Sequence, residues 1–461
     1  MKIGWAGCDV TPERPAKLRG QFYTRIAEGT KDPLTATALA VEGDRPDGRP
    51  DGAVIVSCDR VSVPEELQQR VRDAAASALS DLDPRKVFLH ATHTHDAPEA
   101  SDGFYPPEGP EVMSPSEYAD FFADRVAEAV AAAWRERRPG AVGRAFTHAV
   151  VGHNRRAVYR DGSARMYGET DSEDFSHVEG YEDHGVDLLF TWSDDGDPTG
   201  VVVNLACPAQ VEEHLTEYSS DFWHETRLML RDRYGPDLFV LAQCAPAGDQ
   251  SPHFLLYGEQ ERDMRERRGL TERQETARRI ARAVYDGCEP ARRAAYEDGP
   301  VQHVVRRVEL PARLVTDQEA ARARAEIERV EAAEPADDKA ASANWVHRVR
   351  NRRVVERYEN QGAESAVPVE LHALRLGDVA LATNPFELFL DYGLRVKARS
   401  RAPQTMLVQL AAGAHGYLPT RRAVRGRSYG AEVARNQVGP EGGRVLVEQT
   451  LRAINGLWDE A

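Results

Sequence analysis

Residues Phe88–Pro98 read FLHATHTHDAP, an apolar run that passes directly into two histidines and an aspartate and ends at a proline. The run Lys86–Ala91 predicts a buried strand. Because residues two apart on a strand point the same way, His93 and His95 can converge on one space at its end. Neutral imidazoles placed in this way suit zinc; the simpler interpretation is a hydrogen-bonded pair of loop histidines.

The sequence on either side predicts an α/β fold. Ala53–Cys58 (AVIVSC) is a continuous apolar run, typical of a strand buried on both faces. Pro64–Ser80 is predicted as a helix, and Ser116–Arg135 as a strongly amphipathic one. Together they favour mixed β-sheets flanked by helices. Later strands are predicted at Val201–Ala206, Leu238–Ala242, Val367–Leu376, Val379–Thr383 and Met406–Ala411.

Residues 316–360 are rich in Ala, Glu and Arg and have a helical period. Trp345 and Val349 fall four apart on one helix face, so this segment is predicted to be an inserted helical pair. The basic run Arg348–Arg357 within it is interpreted as a solvated helix face. No internal repeat or long linker divides the chain, and residues 1–461 are therefore predicted to form a single domain.

Composition restricts the partners. The net charge of −16 argues against a nucleic-acid partner, because no basic face would release counterions from phosphates. No stretch approaches the length of apolar sequence that a membrane span requires. The five cysteines are scattered without a CxxC pair, and the N-terminus lacks the apolar run of a signal peptide. A cytoplasmic protein acting on a small molecule is expected, with self-association into a homo-oligomer left open.

Four further segments follow predicted strands. Val201–Gln210 reaches Cys207; a thiolate binds zinc well, but a lone cysteine at a strand end is more commonly a small buried hydrophobe. Cys244–His253 forms a Gly-Asp-Gln-Ser turn that is not the GxSxG elbow of α/β-hydrolases. Asn384–Glu387 and Gly413–Tyr417 follow two more apolar runs. All of these segments are predicted to open on one edge of the sheet, where ligand sites of α/β proteins lie.

Read together, the segments resemble the N-terminal catalytic domain of the neutral/alkaline ceramidases, zinc amidases that cleave N-acyl sphingosine. Thr92–Pro98 is similar to that family's metal-strand motif Thr-His-Thr-His-Ser-Gly-Pro. Gly248–Pro252 matches its Gly-Asp-Val-Ser-Pro, and Pro385–Glu387 resembles its Pro-Gly-Glu. Gly4–Thr11 is similar to its Gly-x-Gly-x-x-Asp with the first glycines shifted. The resemblance spans nearly the whole chain.

The resemblance implies a Zn²⁺ cofactor and a set of site residues. The zinc ligands that it implies are His93, Glu387 and Tyr417. The catalytic residues that it implies are His95 near the metal-bound water, Ser251 in the place of the family's serine, Tyr429 at the spacing of its second tyrosine, and Arg155 beside an Asn-Arg pair.

The chain departs from the family in two places. Cys207 stands where the family has its second histidine ligand, so Cys207 is predicted to be the fourth ligand, with His214 as the competing candidate. Only Glu441–Ala461 follows the tyrosine segments, where neutral ceramidases continue into an immunoglobulin-like domain. A compact relative acting on a smaller, more polar substrate is therefore expected.

The function predicted from these features is zinc-dependent hydrolysis of an amide (N-acyl) bond by zinc-activated water. Three alternatives use parts of the same evidence. A zinc-dependent lyase or dehydratase acting on a sugar-like substrate would use the metal to stabilise an enolate. A TIM-barrel amidohydrolase also begins with HxH on a strand. The chain could also be a non-catalytic binding protein on the same scaffold.

Overall fold

A computed structural model describes residues 1–79, 81–363 and 365–459. Its strands are β1 (Lys2–Asp9), β2 (Gly29–Thr30), β3 (Thr35–Asp44), β4 (Pro50–Cys58), β5 (Val87–Ala91), β6 (Arg138–His148), β7 (His153–Asn154), β8 (Arg156–Tyr159), β9 (Ala164–Met166), β10 (Phe175–Val178), β11 (Gly185–Ser193), β12 (Pro198–Leu205), β13 (Glu217–Tyr218), β14 (Phe239–Cys244), β15 (Gln250–Ser251), β16 (Val301–Pro311), β17 (Ala366–Leu376), β18 (Val379–Thr383), β19 (Glu387–Leu388), β20 (Gln404–Val408) and β21 (Tyr417–Leu418). Its α-helices are α1 (Glu65–Ala75), α2 (Pro115–Arg135), α3 (Trp223–Tyr234), α4 (Gly258–Arg267), α5 (Glu272–Arg293), α6 (Asp317–Ala332), α7 (Asp338–Asn360), α8 (Leu390–Arg399), α9 (Arg421–Gly426) and α10 (Pro440–Asp459). Short 3₁₀ turns lie at Ala76–Ala78, Pro84–Lys86 and Val433–Arg435.

Two mixed sheets form the centre of the molecule. The larger has the strand order β14-β12-β11-β6-β1-β3-β4-β5, with parallel pairs at β12/β14 and β4/β5 and antiparallel pairs elsewhere. The smaller has the order β16-β17-β18-β20, antiparallel except for β18/β20. The predicted class, mixed sheets flanked by helices, is confirmed.

The side chains of β4, which point alternately to its two faces, show why the sheets stack. Val54 and Val56 face one side, where they join a core with Phe122 of α2. Ile55 faces the other side and packs in a core shared with Leu381 of the smaller sheet. Because successive side chains of a strand point to opposite faces, an unbroken apolar run is buried only between two covering layers. The result is a four-layer arrangement with helices outside both sheets.

The predicted elements are confirmed with small shifts at their ends. Helix α2 begins earlier than predicted because the Ser114 hydroxyl accepts from the Glu117 amide while the Glu117 carboxylate accepts from the Ser114 amide. Helix α1 ends at Ala75, and the predicted last residue, Ser80, lies outside the described residues. The strand predicted over Met406–Ala411 ends at Val408, because Leu410 and Ala412 have positive φ angles of 54° and 55°.

The segment predicted as an inserted helical pair forms α6 and α7 between β16 and β17. Helix α7 folds back over the ends of the strands: Val346 packs with Phe104 and Tyr105, and the Ser342 hydroxyl accepts from the Thr24 amide at 3.1 Å. The hairpin thereby covers one side of the edge where the histidine segment emerges. No barrel is present in the described part of the chain, so the TIM-barrel alternative is wrong. No helix among the same residues is long and apolar enough to cross a bilayer.

Candidate active site

A cavity of about 220 Å³ lies at the ends of β5, β19 and β21, with α7 as one wall. Its lining combines an acidic and aromatic floor with a basic wall. The residues that line it are Arg19, Gly20, Val61, His93, His95, Phe104, Arg350, Arg353, Val354, Arg357, Glu387, Ala414, His415, Gly416, Tyr417, Tyr429, Ala434, Arg435, Asn436 and Gln437.

His93 lies just past β5 in a strained backbone conformation, with a φ of +70°. A left-handed conformation in a residue other than glycine costs about 1–3 kcal/mol and is found where the surroundings impose it. The His93 Nδ1 atom lies 2.7 Å from the Val61 carbonyl oxygen, which accepts a hydrogen bond if Nδ1 carries the proton. The other ring nitrogen, Nε2, lies 3.3 Å from Glu387 Oε2.

Glu387 and Tyr417 emerge together because they are opposed residues of the parallel β19/β21 pair. The Arg155 Nη2 group donates to the Tyr417 hydroxyl at 3.1 Å. Burial by itself would raise the pKa of Glu387, but His93, the Tyr417 hydroxyl and Arg155 outweigh it and hold this pKa below its usual value. Burial, followed by the neighbouring Glu387, raises the pKa of Tyr417 well above its usual range.

We refer to His93, Glu387 and Tyr417 together as the His93 group. It offers one nitrogen donor from the histidine and an oxygen donor from each of the other two residues. Within residues 1–79, 81–363 and 365–459, no cluster of three or more His, Cys, Asp or Glu side chains could hold a metal ion, so a metal here needs the tyrosine as a donor. Metal-bound histidines typically donate their second nitrogen to a carbonyl or carboxylate, as His93 can to Val61. This donor set fits the three-ligand pattern of catalytic zinc, which keeps a position open.

The structure does not bring Cys207 or His214 to this group. The Cys207 thiol lies 3.3 Å from the Val151 carbonyl oxygen and packs in an apolar cluster. Its burial raises the pKa of the Cys207 thiol well above the usual value. His214 is exposed on the loop before β13. Neither joins His93 and Glu387 in a metal-holding cluster in the described chain.

His95 lines the cavity beside His93, with ring centroids 5.1 Å apart. The Gln210 amide donates to His95 Nε2 at 2.6 Å, and Nδ1 lies 3.2 Å from Glu213 Oε2. Burial lowers the pKa of His95 to about 4, against the opposing effect of Glu213. Gly20 packs against this ring: a Cβ atom there would lie 2.4 Å from the imidazole, so only glycine fits.

Ser251 lies one layer behind the cavity. It is fully buried, and its Oγ atom is 2.9 Å from the Tyr167 hydroxyl. The Tyr167 backbone amide donates to the Arg155 carbonyl oxygen at 2.8 Å, so a chain of contacts leads from Ser251 through Tyr167 and Arg155 to Tyr417. No imidazole nitrogen is hydrogen-bonded to Ser251 Oγ among the described residues.

Tyr429 is brought to the cavity itself. Its ring centroid lies 5.4 Å from that of Tyr417 and 4.6 Å from the guanidinium carbon of Arg435. Arg155 is buried behind Tyr417 and does not line the cavity. Of the four residues predicted as catalytic, His95 and Tyr429 thus face the space beside the His93 group, and Ser251 and Arg155 support it from behind.

The sequence patterns missed several residues here. The interpretation of the basic run in α7 as a solvated face is wrong for Arg350, which is half-buried and lines the cavity. The available signal was that Arg350, Val354 and Arg357 recur at the spacing of one helix face. Nothing in the sequence pointed to Gln210 or Tyr167.

Comparison with known proteins identifies the fold. No protein-family model and no curated protein sequence matches the chain. Two solved structures match it over 99% of its length with a TM-score of 0.69 each. One is a ceramidase complexed with C2, at 12% sequence identity and over 75% of that chain. The other is the neutral ceramidase from Pseudomonas aeruginosa, at 14% identity and over 74% of that chain. The chain therefore has a neutral-ceramidase-like fold, as the resemblance predicted.

Proposed function

We propose that the protein is a zinc-dependent hydrolase that cleaves an amide (N-acyl) bond of a small or polar substrate. One observation carries the proposal: His93, Glu387 and Tyr417, distant in sequence, meet in one cavity of a fold shared with ceramidases. The ligands that we propose for zinc are these three residues, with water or substrate in the open position.

Zinc, when bound, would polarise the scissile carbonyl and lower the pKa of a bound water. His95, oriented by Glu213 through Nδ1, accepts the proton of the attacking water at Nε2, where the Gln210 amide donates in the resting structure. The Tyr429 hydroxyl donates a hydrogen bond to the carbonyl oxygen as negative charge develops there. The new carbon–oxygen bond replaces the carbon–nitrogen bond, and the proton held by His95 passes to the departing amine.

Ser251 has a supporting part in this mechanism. A serine nucleophile needs a base in contact with its hydroxyl, and the observed partners are the Tyr167 hydroxyl and the His253 backbone amide. The serine therefore holds Tyr167, whose backbone amide bonds the carbonyl oxygen of Arg155, and the Arg155 side chain donates to the Tyr417 hydroxyl. In this role Ser251 and Arg155 are positioning residues.

The size and lining of the cavity support a small or polar substrate. A space of about 220 Å³ is smaller than most ligand pockets, and many of its lining side chains are charged or polar. The two alkyl chains of a ceramide need an extended apolar groove, and this cavity has only isolated apolar residues such as Val61 and Phe104.

Elemental analysis of the purified protein, with assays on a panel of small N-acyl compounds, tests the proposal. We expect about one zinc per chain and amide hydrolysis. His93→Ala should lose both, whereas His148→Ala, at an exposed position at the end of β6, should retain both. Full zinc occupancy in the His93 variant would refute the ligand assignment, and absence of zinc from the native protein would refute the metal dependence.

A further inference from the structure

The wall of the cavity opposite Glu387 is strongly basic, although the chain as a whole carries a net charge of −16. Against the single carboxylate of Glu387, five arginines line the described cavity: Arg19, Arg350, Arg353, Arg357 and Arg435. Three of them come from one face of α7. A cationic wall in an acidic protein concentrates anions at one place.

Two of these arginines have a buried N–H group with neither a counter-ion nor a hydrogen-bond acceptor among the described residues. Arg350 and Arg435 form no ion pair with a carboxylate in the described part of the chain. Arg350 Nη1 and Arg435 Nε are buried there without a hydrogen-bond acceptor. The other buried cations of this wall are satisfied, since Arg19 pairs with Glu99 and Arg357 donates to two backbone carbonyls.

The guanidinium groups of Arg350 and Arg435 also share one aromatic neighbour. Both lie over the ring of Phe22, with their Cζ atoms 4.3 Å (Arg350) and 4.6 Å (Arg435) from its centroid. Burial, followed by the charge of Arg435, lowers the pKa of Arg350 to about 9. A cation–π contact with a ring uses no N–H group, so Arg350 Nη1 and Arg435 Nε are left to donate, and guanidinium N–H groups bind oxyanions. Two like charges held around one ring without a counter-ion are unfavourable unless an anion joins them.

We propose that the substrate carries an oxyanion, a carboxylate or a phosphate, that binds between Arg350 and Arg435 while its amide lies at the His93 group. This inference rests on the proposed hydrolase function and narrows its substrate to anionic N-acyl compounds. Phe22 and Tyr429 position the two guanidinium groups for this oxyanion, and Arg350 of α7 selects substrates that carry it.

Calorimetric titration with inorganic phosphate and with acetate tests the anion site without requiring turnover. We compare the native protein with Arg350→Gln, Arg435→Gln and, as a matched control, Arg352→Gln; Arg352 lies on the outer face of α7 and pairs with Glu331. At least one anion should bind, about 10- to 100-fold more weakly in the first two variants and unchanged in the control. The anion that binds identifies the group as phosphate or carboxylate. Failure of both anions to bind, or equal binding in Arg350→Gln, overturns the inference.

Hydrolysis of matched substrates separates this inference from the proposed function. The pairs are N-acetyl-phosphoethanolamine with N-acetylethanolamine, and N-acetyl-4-aminobutyrate with its primary amide. We expect the charged member of at least one pair to have a kcat/KM at least tenfold higher, and Arg350→Gln to remove this preference. Hydrolysis without preference for charge would overturn the inference and leave the function intact. Anion binding through Arg350 in a protein that cleaves no amide would refute the function and leave the oxyanion site standing. If Arg350→Gln fails to fold, the charge preference of the native protein decides.

Discussion

Glu387 lies directly opposite Tyr417 in a parallel pair of two-residue strands. The pair has only two residues in each strand, and its register places the Glu387 carboxylate beside the Tyr417 phenol. The Glu387 amide donates to the Gly416 carbonyl oxygen at 2.9 Å, which fixes the approach of the two segments. The geometry of the candidate metal site therefore depends on backbone pairing as well as on its side chains.

Tyr417→Phe tests the phenol as a zinc donor. The ring keeps its contacts with Phe389 and Tyr429, so loss of the hydroxyl alone should lower zinc affinity about tenfold or more, measured by competition with a chelator. Tyr392→Phe is the matched control, because Tyr392 lies in the same core and donates only to the Pro419 carbonyl oxygen. It should lose about 1 kcal/mol of stability and keep its zinc affinity. Equal zinc affinity in Tyr417→Phe and the native protein would remove the tyrosine from the site.

Gly416→Ala should disrupt the β19/β21 pair. Gly416 has a φ of +70°, and a Cβ atom there would lie 2.4 Å from the Arg435 carbonyl oxygen. We expect a loss of about 2 kcal/mol or more in the free energy of unfolding, together with a loss of activity. Gly456→Ala, in α10 with open space around it, should instead stabilise the protein by up to about 1 kcal/mol. Chemical denaturation of both variants checks the contrast, and a stable Gly416→Ala would contradict it.

Cys207→Ala tests whether the thiol takes part in metal binding. Because the sulfur faces the Val151 carbonyl and an apolar cluster, we expect the zinc content of this variant to equal that of the native protein. The cavity left by the missing sulfur should cost about 1–2 kcal/mol of stability. Elemental analysis of the folded variant provides the measurement. Loss of zinc would restore Cys207 as the fourth ligand.

His90 should make stability depend on pH. It is fully buried, neither ring nitrogen has a hydrogen-bond partner among the described residues, and burial lowers its pKa to about 3. The unfolded chain, with a histidine pKa near 6.5, binds a proton that the folded chain excludes, so stability present at pH 7 is lost as the pH falls below about 6.5.

His90→Leu fills the same space without a titrating group. Between pH 7 and pH 5 it should lose about 2 kcal/mol less stability than the native protein, as measured by denaturant unfolding at each pH. The remaining buried histidines keep their contribution in both proteins, so the difference isolates His90. Parallel pH profiles would show that His90 has the same pKa in the folded and the unfolded chain.

The elements that the sequence predicts correctly are those whose hydrophobic pattern or cap lies within one short stretch of residues. Strand β4 is an apolar run because both of its faces are covered, and α2 carries both its amphipathic period and its cap in the sequence. The direction of Cys207 could not be predicted, because its amide turns back to the Leu205 carbonyl and aims the thiol into the core. The role of Arg350 was hidden for a similar reason: whether a helical arginine is solvated depends on where the whole hairpin folds.

Because Arg350 lies on α7, the proposed anion site and the proposed metal site are built on different parts of the fold. The His93 group is built on strand ends inside the stacked sheets, whereas α6 and α7 form a hairpin inserted between two neighbouring strands. Such a hairpin tolerates exchange, lengthening and drift without disturbing the sheets. Substitutions confined to this hairpin would therefore change which substrates bind, while the residues of the His93 group stay the same.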